Sequence, residues 1–196
     1  MAQRRTYAKG AAKRQEILQA ALRLIAENGY RHASVRDIAE AAGLSPAGLM
    51  HHFGTKEELF VAILEARDAL DSEVFTATPA SDDDYLTRFL AVMQHNAEVP
   101  GLVQLYTQLL GEVADPQHPA HQYFAERTRT VHAMAIQAVT AAQETGTIRN
   151  DVSAEWIVRS AHSLADGLQA AWLLDPTIDM GAHLRQFFML LLTPQP

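Results

Sequence analysis

Apolar residues recur at intervals of three and four positions along most of this chain, which is the period of an amphipathic α-helix. In residues 11–28, Ile17, Ala21 and Ile25 mark one face, and Gly29 follows where a helix is expected to end. Similar stripes continue towards the C-terminus, and no segment alternates apolar and polar residues in the manner of a half-buried strand. The pattern therefore predicts an all-α protein of about nine helices.

The segment from Ser34 to Lys56 carries the signals of two short helices separated by a turn. Ser34 is a good cap for the first helix, and Gly43 ends it because glycine adopts left-handed conformations without steric penalty. Ser45 caps the second helix, and Pro46 takes its first position, where a missing N–H does no harm. Helix, turn and helix in this order is typical of a helix-turn-helix unit, whose second helix enters the DNA major groove. A plain helical hairpin in an all-α core is the alternative interpretation.

The distribution of charge favours DNA binding. The net charge is −7, yet residues 1–60 hold nine Lys/Arg against six Asp/Glu, whereas the remainder holds seven Arg against seventeen acids. A basic arm precedes the two helices, and residues 1–10 of it are predicted to be flexible. A nucleic-acid footprint is therefore expected at the N-terminal end, followed by an acidic body. The basic residues of the arm are Arg4, Arg5, Lys9, Lys13 and Arg14.

About the first 65 residues resemble the DNA-binding domain of TetR-family transcriptional regulators. The family usually has Tyr where this chain has Met50. Two later stretches, Glu112 to Phe124 and Gly167 to Pro176, are loosely similar to segments found in many bacterial members. The N-terminal matches are Ile17, Ala20, Ala21, Gly29, Tyr30, residues 34–39, residues 42–45, Gly48, Leu49, His52, Phe53 and residues 55–59.

The resemblance implies a division into two domains. Residues 1–56 would form a three-helix helix-turn-helix DNA-binding domain with its basic arm, and residues 57–196 a helical bundle for ligand binding and dimerisation. The implied function is a DNA-binding transcriptional regulator, a repressor that binds a palindromic operator as a homodimer and is released by a small organic effector. The alternative is a ligand-binding helical-bundle protein without gene regulation.

The resemblance also implies which residues contact DNA. Because Pro46, Ala47 and Gly48 have no side-chain hydrogen-bonding groups, direct readout would rest on thymine methyl contacts, His51 and Arg36. DNA shape would then carry more of the specificity than usual. The candidate DNA-binding residues are Ser34, Arg36, Ser45, Pro46, Ala47, Gly48, Met50, His51, His52, Thr55 and Lys56.

The last two predicted helices carry broad apolar stripes that end in large aromatic residues. Such stripes are core in a monomer, but a surplus apolar face on each helix suggests a partner. In the TetR family, which this chain resembles, the corresponding two helices of each subunit form a four-helix homodimer interface. A two-fold symmetric dimer suits a palindromic operator. The candidate interface residues are Trp156, Ala161, Leu168, Leu184, Phe187, Phe188 and Leu191.

A ligand pocket is predicted among the helices of the second half. Aromatic walls with a few polar groups are typical of small-ligand sites, although the same residues at helical spacing also form ordinary cores. His162 and Asp166 lie four residues apart and could orient a ligand, or form a hydrogen-bonded pair in the core. An apolar or aromatic ligand with one donor or cationic group would suit the set. The candidate lining is Met93, Tyr106, Tyr123, Phe124, His132, His162, Asp166 and Trp172.

Several other functions are not expected. The chain has no cysteine, which leaves no disulfide framework and no thiol sensor. It has no Gly-x-Ser-x-Gly elbow and no phosphate-cradling glycine loop, so we expect neither an enzyme nor a cofactor. His118 and His121 flank a Pro-Ala turn and lack the spacing of a metal site. Without an apolar run of membrane-spanning length, a cytoplasmic protein is expected.

Overall fold

The computed structural model of the chain describes residues 2–29, 33–77 and 84–192. Within these ranges the ordered secondary structure is helical, apart from one isolated antiparallel bridge between Ile148 and Leu192. The predicted all-α class is thus confirmed. No helix in the described ranges is long and apolar enough to cross a membrane. The helices are α1 (Ala2–Asn28), α2 (Val35–Ala41), α3 (Pro46–Phe53), α4 (Lys56–Ala77), α5 (Asp84–Glu98), α6 (Pro100–Glu112), α7 (His121–Glu144), α8 (Ala154–Leu174) and α9 (Met180–Met189).

Helix α1 differs from its prediction at the N-terminal end. It begins at Ala2, so the prediction of a flexible arm over residues 1–10 was wrong for residues 2–10. This segment is rich in Ala, Arg, Lys and Gln, which are good helix formers. Extending an existing helix adds one hydrogen bond per residue without a new nucleation step, so no apolar stripe is required. The side chains of Arg4, Arg5 and Lys9 lie outside the part of the chain that is described.

The chain divides into two compact units. Unit 1 comprises Met1–Leu70 and Val99–His121. Its core is formed where α1 contacts α2, α3 and α6, and its fully buried side chains include Ile17, Ile38 and Leu59. Helix α6 is therefore part of the packing around the helix-turn-helix, which the sequence pattern did not indicate.

Unit 2 comprises Asp71–Glu98 and Gln122–Pro196. Helix α9 contacts both α5 and α8, and apolar residues of α7 complete one continuous core. The buried polar side chains of this unit include Asn96 and Gln169: the Asn96 amide donates to the Gln169 side-chain oxygen at 3.4 Å, and the Gln169 amide donates to the Ala165 carbonyl at 3.4 Å.

Helix α4 contributes to both units, because unit 1 takes it as far as Leu70 and unit 2 begins at Asp71. The units are defined by packing, whereas the predicted boundary between residues 56 and 57 concerned a division of function. That division stays a prediction.

Candidate functional site

The start of α2 is fixed by a reciprocal pair of hydrogen bonds between Ser34 and Asp37. The Asp37 N–H donates to the Ser34 hydroxyl oxygen at 3.2 Å, and the Ser34 N–H donates to the Asp37 carboxylate at 3.1 Å. The Ser34 hydroxyl also donates to this carboxylate. A helix N-terminus leaves several N–H groups without an intrahelical partner, and the capping box satisfies one of them. Because both Ser34 donors already serve Asp37, a contact of this residue with phosphate stays a prediction.

Helix α3 begins with small residues and ends at a glycine with a positive φ angle. Ser45 caps it by accepting from the Gly48 N–H at 3.1 Å, and Pro46 occupies the first turn. Gly54 ends it with φ 77° and donates its N–H to the Met50 carbonyl at 2.8 Å. The positive φ favours glycine at this position, and a Cβ there would also displace the Glu58 carboxylate.

The start of α4 repeats the capping box directly after this glycine. The Thr55 N–H donates to the Glu58 carboxylate at 3.0 Å, and the Glu58 N–H donates to the Thr55 hydroxyl oxygen at 3.1 Å. Lys56 is the first residue of α4 and is exposed, with its ammonium 5.4 Å from the centre of the Phe60 ring. A positive side chain beside a helix N-terminus favours a bound anion such as a phosphate.

None of the eleven candidate DNA-binding residues is buried. All belong to unit 1, and they occupy the caps and outer sides of α2 and α3 and the start of α4. The core-facing residues of α3, Leu49 and Phe53, alternate with them and are buried. The half-buried members are Gly48, Met50 and His52, and the exposed ones are Ser34, Arg36, Ser45, Pro46, Ala47, His51, Thr55 and Lys56.

Two residues counted with the basic arm have partners inside unit 1. Lys13 donates from Nζ to the Ala42 carbonyl at 3.4 Å and pairs with Glu16 at 3.1 Å. Arg14 donates from Nη1 to the His52 carbonyl at 3.1 Å. Helix α1 thus places both side chains at the C-terminal ends of the helix-turn-helix helices. A contact of either residue with DNA stays a prediction.

A cluster of hydrogen-bonding and aromatic side chains forms the candidate effector site in unit 2. The Tyr85 hydroxyl lies 2.9 Å from Nε2 of His162, which joins α5 to α8. The centre of the His162 ring lies 4.9 Å from the centre of the Phe89 ring and 4.8 Å from that of the His132 ring. Phe188 of α9 packs 6.0 Å from Phe89. We call these five side chains the Tyr85–His162 cluster.

The titratable members of the cluster are held neutral. Burial, followed by the charges of His132 and Arg127, lowers the pKa of His162 to about 4. Burial and the charge of Arg159 lower the pKa of His132. Burial raises the pKa of the Tyr85 hydroxyl. At neutral pH the cluster therefore offers uncharged hydrogen-bonding groups, with positive guanidinium charge nearby.

The candidate pocket residues are only partly brought together. His132 and His162 meet directly, and Met93 is buried beside the Asn96 amide at 3.8 Å. Tyr106, in contrast, belongs to unit 1, where the Arg67 guanidinium lies 5.6 Å from its ring centre.

The other candidate pocket residues belong to unit 2. Phe124 is buried edge-on to Tyr123, with the ring centres 5.3 Å apart. Asp166 and Trp172 are half-buried. Sequence reasoning missed Tyr85 and Phe89, since their spacing was that of an ordinary apolar face.

Most candidate interface residues fill the core of unit 2. Ala161, Leu168, Leu184, Phe188 and Leu191 are all less than a tenth exposed, because α8 and α9 pack against each other and against the neighbouring helices. Their placement at a partner surface is therefore corrected.

Of the remaining two candidates, Phe187 is half-buried against the same core and Trp156 is 53% exposed. The exposed apolar surface near α8 and α9 consists instead of Trp156, Leu174, Met189, Leu190 and Leu192.

His118 and His121 make polar contacts around the turn between α6 and α7. His118 accepts from the Ala120 N–H at 3.2 Å and lies 3.7 Å from the Glu112 carboxylate. A ring nitrogen of His121 lies 2.7 Å from the Val113 carbonyl. Among the described residues, no group of three or more His, Asp or Glu side chains is arranged to hold a metal ion.

Comparison with known proteins gives consistent results. The family model for bacterial regulatory proteins of the tetR family matches residues 17–63. The transcriptional repressor Rv1474c of Mycobacterium tuberculosis is 30% identical over 166 residues, which cover 82% of each chain. The transcriptional repressor KstR2 of the same species is 29% identical over 159 residues, covering 76% of this chain and 75% of that protein. The crystal structure of a TetR transcription regulator from Haloarcula marismortui superposes with a TM-score of 0.78 at 20% identity, covering 93% of this chain and all of that one.

Proposed function

Because this chain belongs to the TetR family of bacterial regulatory proteins, we propose that it represses transcription as a homodimer bound to a palindromic operator and is released by a small organic effector. It is a DNA-binding transcriptional regulator. Its place of action is the cytoplasm, where its DNA target lies, and its role is regulatory and not catalytic.

The observation that carries the proposal is the exposed start of α3. Pro46, Ala47 and Gly48 leave the first turn of the helix without large side chains, so its backbone can approach the edges of base pairs closely. Such a surface reads thymine methyl groups and groove shape more than hydrogen-bonding patterns. His51, exposed one turn later, supplies a hydrogen-bonding group towards the end of the same helix.

Phosphate binding is assigned to the ends of the helices around α3. Ser45 accepts one hydrogen bond through its hydroxyl oxygen and retains the O–H as a donor, as does Thr55. Lys56 adds an exposed positive charge next to the second of these caps. These groups fix the orientation of the protein on DNA without reading its sequence.

Dimerisation is assigned to the exposed side of α8 and α9. Trp156 is 53% exposed at one end of α8, and Leu174 is 90% exposed at the other. Between them, a side chain at the exposed Gly167 would meet nothing within 4 Å, so a second helix can approach this face closely. Met189, the last residue of α9, and Leu190, which follows it, are further exposed apolar side chains. Exposed large apolar side chains at this density support an association site.

The effector is assigned to the Tyr85–His162 cluster. Its rings provide apolar contact surface, and the Tyr85 hydroxyl and the neutral imidazoles provide hydrogen-bonding groups. The nearby charges of Arg127 and Arg159 disfavour a cation. We therefore propose an apolar ligand whose polar end is uncharged or acidic, in place of the donor or cationic group that the sequence suggested.

The decisive experiment is a selection of operator sequences. The full chain would be incubated with a pool of random duplexes, and the retained DNA would be sequenced and footprinted. We expect an inverted repeat whose half-sites lie about one helical turn, roughly 10 base pairs, apart. Retention of no sequence above background at low salt would refute the proposal and favour a ligand-binding bundle without gene regulation.

A further inference from the structure

Two consecutive residues of α1 reach the C-terminal ends of two different helices. Lys13 donates to the carbonyl of Ala42, the residue that caps α2, at 3.4 Å. Arg14 donates to the carbonyl of His52, in the last turn of α3, at 3.1 Å. The neighbouring positions of one helix thus contact both members of the helix-turn-helix.

Arg14 donates a hydrogen bond to a carbonyl in the last turn of α3, where carbonyl groups have no intrahelical donor. The last carbonyls of a helix have no intrahelical donor and require other partners. In α3 the Met50 carbonyl accepts from the Gly54 N–H at 2.8 Å, and the Phe53 carbonyl accepts from the Thr55 N–H at 3.0 Å. The His52 carbonyl accepts from Arg14.

The guanidinium of Arg14 also covers Phe53. Its Cζ lies 4.3 Å from the centre of the Phe53 ring, and this ring is only 4% exposed. A cation over an aromatic face and at the negative end of a helix is favourable on both counts. Arg14 is itself half-buried, so these contacts form in a partly desolvated setting.

We propose that Arg14 is a positioning residue for the recognition helix α3, and that it does not neutralise a DNA phosphate. It fixes the C-terminal end of α3 against α1 and thereby sets the angle at which the first turn of α3 meets the groove. Lys13 does the same for α2 through a longer contact. The inference rests on the proposed DNA binding for its functional readout, but the anchoring itself is testable without DNA.

The salt dependence of operator binding distinguishes positioning from phosphate contact. Each phosphate that a cation neutralises adds about 0.9 to the slope of log K against log salt concentration. The probe is the operator duplex recovered by the selection described above. We expect Arg14→Gln to weaken binding about tenfold at every salt concentration, with the slope of the parent protein. A slope smaller by about one in this variant would mean that Arg14 contacts phosphate, and would overturn the proposal.

Two further variants serve as controls. Arg23→Gln removes a charge from an exposed position of the same helix and should leave operator affinity within about twofold of the parent. Arg14→Lys keeps the charge but loses the planar cover over Phe53, so it should bind with an affinity between those of the parent and Arg14→Gln. Parent affinity in both Arg14 variants would also overturn the proposal.

Hydrogen exchange of the free protein separates this inference from the proposed function. Arg14→Gln should speed exchange of the backbone amides at the end of α3, including the Gly54 N–H, while leaving those of α8 unchanged. Unchanged exchange in α3 would refute the anchoring whether or not the chain binds DNA. If the exchange changed as expected but the parent bound no DNA, the proposed function alone would fail.

Discussion

Gly101, the second residue of α6, lies directly against the Ile25 carbonyl in the last turn of α1. A Cβ at this position would overlap the Ile25 carbonyl oxygen and would lie 2.9 Å from the Cα of Gly29. The atoms in the way are backbone, so they cannot swing aside as the end of a flexible side chain could. This close approach brings α6 into the core of unit 1, next to the helix that also anchors the helix-turn-helix.

Gly101→Ala should therefore destabilise unit 1. Inserting a methyl group into a backbone contact forces the two helices apart, and overpacking of this kind costs about 1–3 kcal/mol of unfolding free energy. Urea unfolding followed by circular dichroism would measure the change. Gly111→Ala is the matched control on the same helix, since a Cβ there meets nothing within 4 Å. That control should be neutral or stabilising by about 0.5–1 kcal/mol, and an equal loss in both variants would contradict the packing argument.

Lys56→Ala should weaken binding to all DNA sequences alike. Lys56 is exposed at the start of α4, and its Phe60 contact lies along the same helix, so its removal leaves the core intact. We expect the salt slope of operator binding to fall by about one. Arg185→Ala, which removes an exposed charge in unit 2, is the control and should leave the slope unchanged. If Lys56→Ala instead altered which base pairs are preferred, its assignment to phosphate would be incorrect.

The helix-turn-helix was predictable because its signals are local. Ser34, Ser45 and Thr55 each accept from a backbone N–H three residues further on, and Gly54 has the positive φ that ends a helix. In each of these caps, the two residues that form the hydrogen bond lie within four positions of each other in the sequence. The contact of Arg14 with the His52 carbonyl was not predictable in this way, because the two residues lie 38 positions apart in the sequence.

The sites of unit 2 were less predictable for a related reason. The Tyr85–His162 contact joins residues 77 positions apart, and Tyr85 fits the spacing of any apolar helix face. Periodicity identified the apolar stripes of α8 and α9 but not what they pack against. Leu184 in α9 is fully buried and Leu174 at the end of α8 is 90% exposed, and only the packing distinguishes these two leucines.

Leu174→Glu should give monomers that remain folded. Its side chain is 90% exposed, so a carboxylate there disturbs an association surface and not the core of the chain. Sedimentation velocity at micromolar concentration should show a dimeric parent and a monomeric variant. Leu184→Glu is the contrasting substitution: its side chain is fully buried, so the variant should unfold, losing more than about 3 kcal/mol. A dimeric Leu174→Glu protein would place the interface elsewhere.

Tyr85→Phe should alter the response to effector while leaving operator affinity in its absence close to that of the parent. The substitution removes the hydroxyl that contacts His162 and keeps the ring stacked on Phe89. The measurement is a titration of operator-bound protein with compounds found by thermal-shift screening, which should favour acidic or uncharged polar ends over amines. Identical release curves for the parent and the variant would remove Tyr85 from the effector site.

Acid should destabilise the protein through His162. Burial, then the charges of His132 and Arg127, lowers the pKa of His162 from 6.5 in the unfolded chain to about 4. Between these values the unfolded state binds more protons than the folded state, so stability rises with pH across this window. The contribution of neutral His162 is complete above about pH 6.5 and is lost as the pH falls through about 4. The lowered pKa of His132 acts in the same direction.

His162→Gln isolates this contribution, because glutamine can still hydrogen-bond to the Tyr85 hydroxyl but does not titrate. Between pH 7.5 and pH 4.5, the parent should lose roughly 2–3 kcal/mol more unfolding free energy than the variant. Urea unfolding at both pH values measures the difference, and stopping at pH 4.5 avoids protonation of Asp151 and Asp175, whose hydrogen bonds lower their pKa values. If the parent and His162→Gln lost equal amounts of unfolding free energy between the two pH values, His162 would be protonated in the folded protein as readily as in the unfolded chain. The assignment of the effector to a neutral Tyr85–His162 cluster would then be wrong.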